Sequence, residues 1–200
     1  MNHAIEFFSR QFDRQVHAAE YDLNVFEQRA LDILEGDVLD LGCGLGNLAL
    51  AAAEQGHRVT AYDACGIAIG DLQRRAIDRA LPVKAERAEI SRWRSTRTYD
   101  SVVSIGLLMF LDCATAWRVI DRIEQAVRPG GLCFLNVCIE GTTFMTMFDA
   151  EAHCLFAPDA LLRRFAGWQV LDHRIDQFEA IEPGRIKRSS TLVVRRPLLG

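Results

Sequence analysis

The stretch Val38-Leu39-Asp40-Leu41-Gly42-Cys43-Gly44-Leu45-Gly46-Asn47 decides how this chain is read. Asp37 to Leu41 has the apolar character of a buried strand. The glycines that follow permit a tight turn and let a ligand come close to the backbone. A helix is expected from about Asn47 to Gln55, stopped by Gly56. Its first turn offers free N–H groups and the positive end of a helix dipole. In a doubly wound sheet such a turn lies at the carboxyl ends of the strands, where ligands bind.

The flanking sequence repeats this strand–helix alternation. Arg58 to Tyr62 reads as a second strand, 67–80 as a helix and Pro82 to Ala85 as a third strand. Tyr99 to Ile105 is a fourth strand and 114–128 a helix; Pro129-Gly130-Gly131 is expected to break the chain before a fifth strand, Leu132 to Ile139. Helices at 4–16 and 23–35 precede this pattern, the second stopped by Gly36. A last helix at 159–166 is followed by strands at about 168–176 and 190–196 with no helix between them. Alternating strands and helices imply βαβ units and a parallel sheet. The expected fold is α/β: a single Rossmann-like doubly wound sheet, mostly parallel, with an antiparallel edge strand and a helical N-terminal extension. We expect one domain over 1–200, with 1–35 as a helical lid and 36–200 as the α/β core.

Composition excludes several classes. Two hundred residues, half of them hydrophobic and a quarter charged, make an ordinary globular chain rather than a disordered one. The 23 basic and 27 acidic residues leave a net charge of −4, which argues against nucleic acid or an anionic membrane as a partner held by bulk charge. The longest apolar run, 101–111, is too short to span a bilayer, for which roughly 18–20 residues are needed. The first residues have neither the basic nor the apolar region of a secretion signal, so the cytoplasm is the expected compartment. The six cysteines show no C-x-x-C spacing and no accompanying His cluster, so no metal site is expected. They are expected to be reduced thiols, with Cys43 a small turn residue and the rest buried filler. Oligomeric state is not legible.

The acidic residues narrow the ligand. Asp63 ends the second strand 21 residues after Gly42, where a carboxylate accepts hydrogen bonds from ribose hydroxyls. An adenosine-type ligand is therefore expected. The dinucleotide fingerprint needs a third glycine where this chain has Asn47. Asp40, two residues before the first glycine, would repel a pyrophosphate but suits a cation. S-adenosylmethionine, with an ammonium, a sulfonium and no phosphate, fits this charge pattern better than NAD. An NAD(P)-dependent oxidoreductase and a non-catalytic S-adenosylmethionine-binding protein remain as alternatives.

The segment resembles the D-x-G-x-G-x-G motif of class I S-adenosylmethionine-dependent methyltransferases. Asp63, Ala88-Glu89-Ile90, Tyr99 to Ser104 and Val127-Arg128-Pro129-Gly130-Gly131 continue the match. Beyond the core the chain is similar to the small tellurite-resistance type, in Leu107 to Leu111, Leu155-Phe156-Ala157, Phe165-Ala166-Gly167-Trp168 and Thr191 to Arg196. That family often has a His-Arg pair between its last two strands. This chain has Asp176-Gln177-Phe178-Glu179-Ala180 and later Lys187-Arg188, which argues against an oxyanion such as tellurite.

The resemblance implies methyl transfer from S-adenosylmethionine, leaving S-adenosylhomocysteine, to a small-molecule acceptor. It implies cofactor contacts from Asp40, Gly42, Cys43, Gly44, Asp63, Ala64, Ala88, Glu89 and Ile105. In-line displacement of a good leaving group needs positioning more than a catalytic triad. No catalytic residue is assigned. His17, Tyr21, Met109, Glu140, Thr142, Thr143, Asp149 and His153 are candidates for the acceptor pocket, and Arg10 or Arg14 for a carboxylate contact from the lid.

Overall fold

The computed structural model describes residues 3–198. β1 (Asp37–Leu41), β2 (Arg58–Asp63), β3 (Val83–Arg87), β4 (Tyr99–Ile105), β5 (Val127–Cys138), β6 (Gln169–Glu179) and β7 (Ile186–Arg195) form one sheet in the order β3-β2-β1-β4-β5-β7-β6. β1 to β5 pair in parallel, and β7 is antiparallel to both β5 and β6. The expected antiparallel pair thus closes one edge, with β7 its inner strand and β6 its outer one. The order of strands reverses between β1 and β4, the switch point at which open α/β sheets bind ligands.

Helices α1 (His3–Ala18), α2 (Val25–Leu31), α3 (Asn47–Glu54), α4 (Gly66–Asp78), α5 (Cys113–Ala126) and α6 (Ala160–Arg164) flank the sheet. Two buried apolar layers result. One joins Val119, Ile120 and Ile123 of α5 and Leu161 of α6 to Leu39, Val102 and Leu135. The other joins Ala30 of α2, Leu48 and Ala52 of α3 and Leu72 of α4 to Val38, Val59 and Val103. Val38 and Leu39 face opposite layers, as the period of a strand requires.

Local chemistry sets the element ends. Asn24 and Glu27 form a capping box at the start of α2: the Asn24 side chain accepts from the Phe26 and Glu27 amides, and the Asn24 amide donates to Glu27 at 2.8 Å. α3 is entered through Gly46 at φ +69°, where a Cβ would stand 2.4 Å from Leu72 Cδ2. Only glycine meets both demands without strain.

Pro129-Gly130-Gly131 does not precede the fifth strand but lies within it. Tyr99 pairs with Val127 while Ser101 pairs with Leu132, so the triplet is a bulge. A Cβ on Gly131 would stand 2.8 Å from the Asp100 carbonyl oxygen, which explains the absence of a side chain there.

The cysteines require a correction. Cys113 and Cys154 are joined by a disulfide, with Cα atoms 4.7 Å apart across 41 positions of sequence. Cys43, Cys65, Cys133 and Cys138 are free and buried. The chain after β5 runs back across the start of α5, where the Cys154 amide donates to the Met109 carbonyl at 3.0 Å. That path, rather than any spacing motif, brings the two sulfurs together. Among the described residues, no helix is long and apolar enough to cross a membrane.

Candidate active site

A cavity of about 540 Å³ opens at the carboxyl ends of β1, β4 and β5, beneath α1. Its floor is the glycine turn. Asp63, at the end of β2, ties that turn to the start of α4: its carboxylate accepts from the Gly44 amide at 2.9 Å and the Cys65 amide at 2.8 Å. An ionised carboxylate has about four acceptor positions, so Asp63 keeps capacity for a ligand's hydroxyls.

The turn is braced from behind. Arg75, 7% exposed, donates to Asp71 at 2.8 Å and to the Leu45 carbonyl, and its guanidinium lies 4.0 Å from the Tyr21 ring centroid. Tyr21, a sequence candidate for the acceptor pocket, is therefore placed against this brace, with its hydroxyl directed at Asp71.

Four carboxylates border the cavity, Asp22, Glu27, Asp40 and Asp63, and the last three have raised pKa values. Burial pushes the Asp40 carboxyl up to about 8, and the nearby charges of Glu27 and Asp63 push in the same direction. Burial also raises Glu27 and Asp63, partly offset by the backbone amides that each accepts. Clustered buried carboxylates hold protons that a cationic ligand would displace. Glu27 escaped the sequence reading. Its N-x-x-E spacing signals a helix cap, and that cap also presents the acid to the cavity.

The structure brings together Asp40, Gly42, Cys43, Gly44, Asp63, Ala64 and Ile105 around one cavity, with Met109 farther along its wall. Ala88 and Glu89 are not among its lining residues; Ile90 takes that place. Glu89 is exposed and accepts from the Ser91 hydroxyl. His17, Glu140, Thr142, Thr143, Asp149 and His153 also lie outside the lining. His17 is exposed on α1. The Thr142 and Thr143 hydroxyls accept from the Arg188 and Ile186 amides, and the Glu140 carbonyl accepts from Arg188. His153 stacks on Phe148 with its Nδ1 at the Asp149 carbonyl.

α1 does cover the cavity, but Arg10 and Arg14 are exposed, and Phe8, Gln11, Phe12 and Gln15 face inward instead. Phe8 meets Phe110 edge to face at 4.9 Å, and Phe110 meets Phe148 at 5.2 Å, forming an aromatic wall. At the far edge α2 is fastened to β6 by Arg29 on Asp176 at 2.9 Å and by Phe26 on Phe178. Asp176 is thus engaged in holding α2. Asn136, Lys187 and Ser189 line the cavity from β5 and β7 without any sequence signal to announce them.

The donor set suits S-adenosylmethionine: carboxylates for its ammonium and ribose hydroxyls, glycine backbone, apolar borders and, among the described lining residues, one lysine rather than a basic cluster for a pyrophosphate. Residues 38–131 match the methyltransferase domain family. TehB from Haemophilus influenzae superposes on this chain with a TM-score of 0.77 at 20% identity, covering 87% of this chain and 62% of that one. A Burkholderia thailandensis 1,6-didemethyltoxoflavin-N1-methyltransferase, solved with 1,6-didemethyltoxoflavin and S-adenosylhomocysteine bound, superposes with a TM-score of 0.68 at 18% identity, covering 98% of this chain and 91% of that one. Hemagglutinin 1 of Eikenella corrodens is 27% identical over 139 residues, 68% of this chain and 44% of that protein. The chain spans half or less of the length of the curated relatives it matches. The fold is that of the class I S-adenosylmethionine-dependent methyltransferases. Residues 38–131 are similar to that methyltransferase domain family, and the chain as a whole shares its fold with TehB.

Proposed function

We propose that this protein transfers a methyl group from S-adenosylmethionine to a small-molecule acceptor. The observation that carries the reading is the convergence of Glu27, Asp40 and Asp63 on a glycine turn at the switch point of the sheet. Asp40 and Glu27 hold the ligand's ammonium, Asp63 its ribose, and Ile90 and Ile105 border its adenine. S-adenosylmethionine, when bound, supplies an electrophilic methyl carbon on a good leaving group.

The chain's own contribution is placement. Holding two reactants in line near ~3–3.5 Å contributes up to ~7–11 kcal/mol. Phe8, Phe12 and Phe110 keep water from the reacting atoms. A general base is required only for an acceptor that carries a proton at attack. Residues 1–35 act as the lid and 36–200 as the core of one working unit. A cavity of about 540 Å³ under a helical lid suits a small acceptor rather than a polymer.

Titration calorimetry with S-adenosylmethionine, S-adenosylhomocysteine and NAD in parallel tests the cofactor. Micromolar binding of the first two without NAD is expected, and binding of NAD alone would assign the protein to the oxidoreductases. Turnover of the cofactor with an acceptor panel then separates an enzyme from a binding protein.

A further inference from the structure

The end of the cavity away from the glycine turn carries a different chemistry. Asn136 lies opposite Thr191, and Cys138 opposite Ser189, across the antiparallel pair β5 and β7. The two-residue period of a strand puts Lys187, Ser189 and Thr191 on one face. Asn136, Cys138, Lys187 and Ser189 line the cavity, and Asn136 is fixed from below by its Nδ2–H donating to Thr191 at 2.9 Å.

Two groups here are left over by the fold. Ser189 is 5% exposed, and its Oγ has no hydrogen-bond partner among the described residues. A buried hydroxyl without a partner destabilises the fold, and a ligand atom that bonds it removes that cost. Lys187 is the one basic residue among the lining residues described, and it forms no ion pair with any described carboxylate. Its ammonium rests 4.7 Å from the centroid of the Phe144 ring. Asp40 is too far away to serve as its partner: β1 and β7 are three strand spacings apart, about 14 Å. Met109 and Met147 cluster with Cys138, the cross-strand neighbour of Ser189, and Phe110 packs against them to complete an apolar wall.

We propose that Lys187 and Ser189 form the anchoring subsite for the methyl acceptor, which is a small, mainly apolar molecule carrying an anionic oxygen such as a carboxylate. The ammonium of Lys187 and the hydroxyl of Ser189 donate to that oxygen, and the body of the molecule lies against Met109, Phe110 and Met147. The cavity is then divided by charge: its acidic end receives a cation and its basic end an anion, so each ligand is repelled from the other's place. An apolar body is needed to fill this subsite, which separates such an acid from a bare inorganic oxyanion.

This assignment rests on the methyltransferase reading, so its test keeps the two apart. Wild-type protein is titrated with S-adenosylhomocysteine, and then, with and without it, with benzoate, salicylate and 3-phenylpropanoate and with their primary amides. The acids are expected to bind about tenfold or more tightly than the amides, a preference abolished in Lys187→Met, kept in Lys187→Arg and reduced severalfold in Ser189→Ala. Affinity for S-adenosylhomocysteine is expected to be the same in all four proteins, which also shows that the variants fold. Equal binding of acids and amides, binding of neither, or a preference that survives Lys187→Met would overturn the subsite. Loss of S-adenosylhomocysteine affinity in Lys187→Met would assign the lysine to the cofactor and overturn it too. If wild-type protein fails to bind S-adenosylhomocysteine at all, the methyltransferase reading falls, and the acid preference measured without it still reports on Lys187 and Ser189.

Discussion

Asp40 gives the cofactor site a proton to lose. With its carboxyl pushed up to about 8, it is protonated in roughly 97% of molecules at pH 6.5. A cation brought to within about 4–6 Å lowers a carboxyl pKa by ~1–3 units. A fall of ~2–3 units releases about 0.7–0.9 proton at pH 6.5. Binding enthalpies for S-adenosylhomocysteine, which keeps the ammonium, are to be measured at pH 6.5 in phosphate, MES and imidazole. Plotted against buffer ionisation enthalpy they should give a negative slope of about that size in wild type and a clearly smaller one in Asp40→Asn, where only Glu27 and Asp63 remain. The unliganded protein supplies a second readout. A raised carboxyl keeps its proton in the folded state after the unfolded chain has lost it, so stability falls as pH rises from 3.8 to about 8. At ~1.36 kcal/mol per unit the full loss is of order 5 kcal/mol. Asp40→Asn should flatten that slope and raise stability at pH 8 while weakening the ligand. Buffer-independent enthalpies in wild type, or the same slope in Asp40→Asn, would refute the reasoning.

Three other outcomes follow from the geometry. Asp63→Ala should weaken S-adenosylmethionine by roughly 1.5–3 kcal/mol, since it removes charged hydrogen bonds to the ribose; calorimetry showing unchanged affinity would remove the ribose assignment. Gly46→Ala should lower the unfolding free energy by about 2 kcal/mol or more, because the new Cβ meets Leu72 in a left-handed turn, and a urea midpoint equal to wild type would contradict this. Reduction of Cys113–Cys154, or the double change to serine, should cost at most about 4 kcal/mol for a loop closed across 41 positions. Equal thermal midpoints for oxidised and fully reduced protein, with free thiols counted by mass, would exclude a stabilising disulfide.

The sequence is most legible where the chemistry is local. The run from Asp37 to Asn47 carries strand, turn and helix start in one stretch, and Asp63 stands at a fixed distance from it because β2 pairs next to β1. Glu89 shows the limit of this. The turn after β3 sends Ile90 inward and leaves the acid in water, a choice made by packing against Trp93 and Leu39 rather than by motif position. Pro129 to Gly131 reads as a chain break because proline and glycine break most strands, but a bulge accommodates them. The β6–β7 hairpin runs longer than expected: outer strand β6 exposes Val170, Leu171, Ile175 and Phe178, so its burial does not alternate and the period of a strand is blurred. Lys187 and Ser189 join the cavity only because β7 is inserted beside β5, and Cys154 reaches Cys113 only because the chain doubles back. Both are facts of topology with no counterpart in spacing.

The placement of α1 over the cavity has a consequence for timing. A Cβ on Gly44 would stand 3.0 Å from Phe12 Cζ, so the first helix rests directly on the turn that the cofactor must occupy. The disulfide fixes the 154 region to the start of α5, while α1 is held over the cavity by ring contacts such as Phe8 on Phe110. With α1 as the proposed way in for ligand, the rate of association is expected to level off with concentration at the rate at which that helix lifts, which stopped-flow binding measures. Substitutions that loosen Phe8 or Phe12 would speed release and admit water together, so throughput and protection of the methyl group are set by the same aromatic contacts.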